Sequence, residues 1–577
     1  MKRVLSVCLA LSLCAAMTAC GQTGAEKAGT VSSEKWEDAA VIQLSDNGIT
    51  VDGEAVSTDE TAAVYTANDI VYYESGKDFT YGEGSETDAH SQEEADAHTV
   101  LHITEAGRYV LRGTLSAGQI AVDLGEDAEE DPSAVVTLIL DGVDITCSVA
   151  PAVIFYHVYE CGSTEAADAG KDVDTTNAGA NVIIGDGSVN NITGSYVARI
   201  YKPDSVELSE DGTEVADAKK LHKYDAAFYS KMSMNVDGDA EGTGVLNIIA
   251  ENEGLDSELH LTINGGNIDI LSGNDGINTN EDGISVTPIN GGSLTITVDG
   301  STGEGDGIDS NGWLVINGGT VAAYACSDSG DSGIDSDMGI HINGGTVIAS
   351  GNMLDRIEAG GQNYAVFNFA ERQPGGTEIT LKTGDGQVFG SYAPVNDYSI
   401  LLVSSPDLAA GDYTLWQGDT QLAGSTGGGM GGGMMGDPGM GGMMGGPGMG
   451  GGSRPEGMTP PEGMTLPENG QEPPEGMEMP EMTQNAEPPE QPEGMERPEG
   501  EPGQKPAQNA DGTMTPPDGS AMDPSELTPP ENGGGQRPGG GMGGPGRGEG
   551  GMGGGAASTV FTITDGGTQF SRVAAAE

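Results

Sequence analysis

The tetrapeptide Ile-Asn-Gly-Gly occurs at Ile263–Gly266, Ile289–Gly292, Ile316–Gly319 and Ile342–Gly345, at intervals of 26, 27 and 26 residues. Each copy lies between two short runs of strand-forming residues. Leu259–Ile263 precedes and Ile268–Ile270 follows the first copy; Leu314–Ile316 precedes and Thr320–Ala322 follows the third. The Asn-Gly-Gly between such runs reads as a tight corner, because glycine reaches positive φ without steric cost. A second motif precedes each corner: Glu253-Gly-Leu-Asp-Ser257, Asp275-Gly-Ile-Asn-Thr279, Asp306-Gly-Ile-Asp-Ser310 and Ser332-Gly-Ile-Asp-Ser336. We read it as a repeated turn. Its aliphatic residue stands eight residues before the corner isoleucine in three copies and twelve in the other, so one coil carries a four-residue loop insertion. Short strands and glycine corners at this period, without helical periodicity, predict an all-β chain wound as a right-handed parallel β-helix, a solenoid of ~26-residue coils. One coil cannot bury its inward aliphatic residues; stacked coils share a core. A sandwich or propeller would show longer hairpin-linked strands or a period near 40–50.

Stacking has an electrostatic consequence. Equivalent residues of adjacent coils lie about 4.8 Å apart, so Asp256, Asn278, Asp309 and Asp335 form one column, and Glu253, Asp275, Asp306 and Ser332 the next. Asp282, Glu304, Asp328, Asp331 and Asp337 crowd the same edge. From residue 232 to 355 there is no Lys or Arg and there are twenty Asp or Glu. Two carboxylates at that spacing repel by about 0.9 kcal/mol in water and ~3.5 at an effective dielectric of 20. A hard divalent cation reverses the sign, and Ca2+ suits a set of carboxylate and amide oxygens. The expected metal ligands are Asp256, Asp275, Asn278, Asp306, Asp309, Asp331, Asp335 and Asp337. The competing expectation is that these side chains splay into water and are screened by salt.

Outward from the repeat, short β-branched segments broken by Gly, Asp and Asn run back to about residue 41, and the acidic stretches Glu83–Glu94 and Glu126–Asp131 read as surface loops. The repeat core spans about 244–355 within a β-helix domain of 41–424. Residues 425–556 are Gly-Met-rich and then Pro-Glu-rich, with Pro-Glu-Gly-Met recurring at Pro455, Pro461, Pro474 and Pro492. With almost no β-branched or aromatic content, this stretch is expected to be a disordered insertion. Met434-Met435 and Met443-Met444 offer soft thioethers for copper(I), but a flexible linker explains them better. Strand character returns in 557–577, where Thr559–Ile563 is expected to pair with Tyr413–Trp416.

The chain start reads as an export signal over residues 1–19: Lys2 and Arg3, an apolar run from Val4 to Met17 too short to span a bilayer, and small residues before Cys20. Cys20 followed by Gly21 resembles the bacterial lipobox, which implies lipidation of Cys20, a tether over 20–40, and a place on the outer face of the cell membrane of a Gram-positive type of cell. Cys147, Cys161 and Cys326 remain, of which Cys147 and Cys161 could bridge. The formal net charge of −67, from 90 Asp+Glu against 23 Lys+Arg, excludes nucleic acid as a partner.

Ala227-Phe-Tyr-Ser-Lys231, Gly244-Val-Leu-Asn-Ile248 and the two repeated motifs together resemble the clostridial carbohydrate-binding β-helix family. Gly107-Arg-Tyr-Val-Leu111, Gly118–Asp123 and Leu138–Ile145 resemble that family's opening coils. The resemblance covers about 100–355 and extends to 41–420. It implies an extracellular β-helix with calcium between coils that binds a plant-type polysaccharide, pectin or cellulose. The aromatic Phe155–Tyr159 with Cys161, and the Gly/Met/Pro insertion, depart from the family pattern.

Catalysis is not expected. A pectate lyase needs an Arg or Lys base beside calcium, and the repeat core holds neither; Arg112, Arg199, Lys223, Lys231 and Arg356 lie outside it. The carboxylate pair of an inverting galacturonase is present without its accompanying His and Arg motifs. A binder needs aromatic platforms, and Tyr229, Trp313 and Tyr324 are the candidates for stacking on sugar rings, while His260 and His341 read as ordinary surface residues. The alternative is a surface adhesin or scaffold without sugar affinity.

Overall fold

The computed structural model describes residues 36–426 and 557–576. Cys20 and the expected disordered stretch lie outside the described residues, apart from its first two residues. Among the described residues the chain is nearly all-β; the one α-helix is a single turn, Gln92–Asp96. That turn interrupts the acidic stretch read as a loop. Ser91 and Glu94 cap each other reciprocally, and Ala95 packs into the core, so the local capping box outweighs the charge repulsion.

The repeat builds three parallel ladders. In the first, Met234–Gly238, Leu261–Ile263, Val286–Ile289, Trp313–Ile316 and Gly339–Ile342 lie side by side. In the second, Val245–Ala250, Asn267–Ser272, Ser293–Val298, Thr320–Tyr324 and Thr346–Gly351 do the same. The third comprises Ala226–Ser230, Glu253–Ser257, Ile277–Thr279 and Ile308–Ser310. Its last three members belong to the first three copies of the motif read above as turns and are strands instead, while the fourth copy, Ser332–Ser336, forms no strand. Three to five residues are too few to show alternation. Their glycines are demanded by close stacking: a Cβ on Gly276 would meet the Gly307 carbonyl oxygen at 2.6 Å. The four-residue slip falls in the turn at residues 281–284.

Leu255, Ile277, Ile308 and Ile334 stack as one fully buried column, and Ile263, Ile289, Ile316 and Ile342 as another. Between ladders one and two, the second glycine of each corner takes positive φ: 88°, 80°, 77° and 80° at Gly266, Gly292, Gly319 and Gly345. The first glycine has a different reason. A Cβ on Gly318 would sit 2.5 Å from the Asn290 carbonyl oxygen of the coil before. Gly318→Ala is therefore expected to lower the urea midpoint by an amount equivalent to about 2 kcal/mol or more, with no change in calcium affinity; an unchanged midpoint would count against this packing.

The stack does not continue to residue 424. Thr346–Gly351 pairs antiparallel with Tyr398–Ser404, and from Tyr364 onward the strands form a mainly antiparallel cap, with Tyr364–Gln373 and Thr568–Ala575 its parallel pair and its own core of Phe367, Phe561 and Phe570. Phe561–Ile563 pairs antiparallel with Gly411–Gln417, bringing the chain back across the low-complexity stretch. An antiparallel cap covers the strand edge that an open ladder would leave bare. At residues 197–224 a hairpin leaves the stack, Val197–Tyr201 pairing with Lys220–Tyr224.

Candidate metal centre

Asp225, Glu253 and Asp256 converge where Ala226–Ser230 and Glu253–Ser257 pair in the third ladder. Each offers a carboxylate oxygen within 4.8 Å of the others, the one such group of His, Cys, Asp or Glu among the described residues. Ladder register explains the meeting. Ala226 lies level with Glu253 and Tyr229 with Asp256, so Asp225 enters from the coil below, where its backbone carbonyl accepts the Glu253 N–H at 3.1 Å. The three residues are 8%, 5% and 0% exposed.

Two of the carboxylates are half satisfied. Asn278 Nδ2 donates to Glu253 Oε1 at 3.2 Å, and Asn280 Nδ2 donates to Asp256 Oδ1 at 2.8 Å. Glu253 Oε2, Asp256 Oδ2 and the Asn278 amide oxygen are buried with no hydrogen-bond partner. Burial, then the neighbouring carboxylates, pushes Glu253 and Asp256 well above the usual carboxylate range. Burial also raises Asp225, against the pull of Lys223, whose Nζ lies 2.5 Å from Asp225 Oδ2. Orphaned buried acceptors are costly, and one ammonium on a single carboxylate leaves the other two uncompensated. The donor set is oxygen only, from carboxylates and an amide, which fits a hard cation such as Ca2+.

Of the expected ligands, Asp256 belongs to this group, and Asn278 stands beside it. Asp225 and Glu253 complete it. The column Asp256, Asn278, Asp309 is in register; Asp335 follows through its N–H to the Ile308 carbonyl at 2.7 Å. The next column bonds its own backbone: Asp275 Oδ1 accepts the Asp306 N–H at 2.7 Å, and Asp306 Oδ1 accepts the Ser332 N–H. Burial, then neighbouring carboxylates, raises Asp306 to about 9 and Asp309 and Asp335 to about 7; burial raises Asp275 to about 7 as well. Asp331 Oδ2 accepts the Gly305 N–H at 2.6 Å, and Asp337 is exposed. Among the described residues no Lys or Arg forms an ion pair with Asp275, Asp306, Asp309 or Asp335, while Lys220 and Lys223 reach Glu258 and Asp225 from outside the cation-free stretch.

The aromatic candidates are placed less favourably. Tyr229 is 1% exposed and donates its hydroxyl to Glu258, so its ring offers no face to a sugar. It shares its sheet face with Asp256, opposite Phe228 and Leu255, and Tyr224 at the end of the hairpin lies against its ring, centroids 5.3 Å apart. Trp313 and Tyr324 are half-buried within the ladders. His260 is not a surface residue: it is fully buried, and its Nδ1 accepts the Val286 N–H at 3.1 Å. That acceptance leaves the proton on Nε2, which donates to the Ser163 carbonyl at 2.9 Å. Cys147, Cys161 and Cys326 are free thiols.

Residues 97–169 and 167–365 match the model of a family described as carbohydrate-binding domain-containing protein. This stretch is similar to a carbohydrate-binding domain. It contains the triad and all three ladders. None of the curated proteins matches the chain. Among solved structures, the polysaccharide lyase-like protein from C. thermocellum, as a gadolinium derivative, is 20% identical; the match covers 54% of this chain and 90% of that one, with a TM-score of 0.31.

Proposed function

We propose that this protein is a non-catalytic polysaccharide-binding lipoprotein, its repeats wound as a right-handed parallel β-helix held by Ca2+, and its chain anchored through Cys20 to the outer face of the cell membrane. The observation that carries the reading is the buried triad inside the stretch similar to carbohydrate-binding domains. Asp225, Glu253, Asp256 and the Asn278 oxygen would hold one ion, whose role at that depth is structural. A second ion at the outer edge of the column, among Asp309, Asp335 and Asp337, would face both protein and ligand. There Ca2+ would join an acidic, pectin-like chain to an acidic protein that otherwise repels it.

The test is co-sedimentation with insoluble pectin and cellulose, with Ca2+ and with chelator. Retention on pectin that is lost with chelator and restored by Ca2+ is the expected result. Absence of retention on any polysaccharide would leave an adhesin or scaffold.

A second reading draws on Lys223. An amine beside a carboxylate-bound cation is the arrangement a lyase uses to remove a proton next to a uronate carboxyl group. Here, though, Asp225 holds that ammonium, and Asp225, Glu253 and Asp256 together push the amine pKa up despite its burial, which opposes a base role at neutral pH. Incubation with polygalacturonate and Ca2+ is expected to give no ultraviolet absorbance from unsaturated uronide; a rise that Lys223→Ala abolishes would establish the lyase.

A further inference from the structure

The four corner asparagines do more than turn the chain. Asn290 Nδ2 donates to Asn264 Oδ1 at 2.9 Å, Asn317 Nδ2 to Asn290 Oδ1 at 2.8 Å, and Asn343 Nδ2 to Asn317 Oδ1 at 2.8 Å. All four are exposed. An amide has two N–H donors and two acceptor lone pairs, so each rung keeps a donor and an acceptor for a ligand after bonding its neighbours. The ladder borders an open groove of about 260 Å³. Pro288 and Val315, adjacent in register, give the floor an apolar strip. The opposite wall is the segment at 171–176. It is pinned by Thr175, which is 5% exposed and whose hydroxyl lies 2.8 Å from Asn235 Oδ1 and 2.6 Å from Thr262 Oγ1.

We infer that this groove is a second polysaccharide site, apart from the acidic edge of Asp309, Asp335 and Asp337, and that it takes a linear, uncharged chain lying along the stack. The inference rests on the polysaccharide-binding reading above. Four rungs at about 4.8 Å present the same amide over about 14 Å, which matches a ligand that repeats its own hydroxyls at each sugar unit. The exposed amides receive the hydroxyls of each sugar unit and fix its orientation. Charge selects the uncharged chain. The cation at the groove, Lys171, is paired with Asp172 at 2.5 Å, and Asp174 also lines it, so a polyuronate would meet net negative charge.

The experiment is calorimetric titration of the full chain, with Ca2+ present, using a β-1,4-linked glucohexaose and a hexagalacturonate. Thr176→Trp fills the groove from its exposed wall and leaves the ladder intact; Asn317→Ala removes one rung. The glucohexaose is expected to bind more tightly than shorter oligomers, and each variant to weaken it at least about tenfold, with Thr176→Trp keeping the wild-type melting temperature. If the wild type binds neither oligosaccharide nor insoluble polysaccharide, the polysaccharide reading itself fails. If it binds glucohexaose and Thr176→Trp binds equally well, the groove assignment alone is overturned. Binding of hexagalacturonate only, blocked by Thr176→Trp, would overturn the choice of an uncharged ligand.

Discussion

Stripped of divalent cations, the protein is expected to lose stability steadily as pH rises from about 4 to about 9, the reverse of ordinary acid denaturation. The sign follows from burial. Asp275, Asp309 and Asp335 are raised to about 7 and Asp306 to about 9, whereas an unfolded Asp titrates near 3.9. Between those values the folded state holds more protons than the unfolded one, so each rise in pH favours unfolding. The contribution is complete below about pH 4 and gone above about pH 9. On the proposal that Ca2+ takes the place of the protons, the ion is expected to flatten the curve. At pH 8, saturating Ca2+ is expected to raise the melting temperature by about 10 °C over a chelated sample, and at pH 5 by much less. Scanning calorimetry across pH, with Ca2+ and with chelator, measures both. A chelated protein equally stable at pH 5 and pH 8 would show that the columns are relieved by water instead.

The second large effect is a reversal of sign at one residue. Asp256→Asn keeps the side-chain shape and removes a fully buried charge with one orphaned oxygen. In chelator at pH 8 the variant is expected to melt above the wild type, because Asp225 and Glu253 lose a repelling neighbour. In Ca2+ it is expected to melt below the wild type, because the cation loses a charged ligand. Uncompensated buried charge is worth ~3–5 kcal/mol, so both displacements should be several degrees. A variant that melts lower by the same amount in both media would show Asp256 to be a packing residue.

The repeat was legible because it is periodic. The Ile-Asn-Gly-Gly spacing located the corners, and the stacking of Asp256 on Asn278 and Asp309 follows from it. What the period did not carry were the parts of the site that depend on a neighbour from outside the repeat. Asp225 follows Tyr224 without either motif, and it joins Glu253 and Asp256 because the coil below ends level with them. Tyr229 reads as a platform because tyrosine often is one; Tyr224, from the hairpin that leaves the stack, lies against its ring. Three copies of the acidic motif are strands rather than turns, and strands of three residues carry no alternation by which to read them.

From the amino-acid order alone come the all-β character, the corners, the aligned acids and the absence of cations between residues 232 and 355, since each is a property of composition or of period. Only the tertiary structure decided which acids share a burial site, that the fold ends in a mainly antiparallel cap, and that the corner asparagines border a groove. These depend on contacts between residues such as Asn235 and Thr175, 60 positions apart, and distance along the chain carries no information about them.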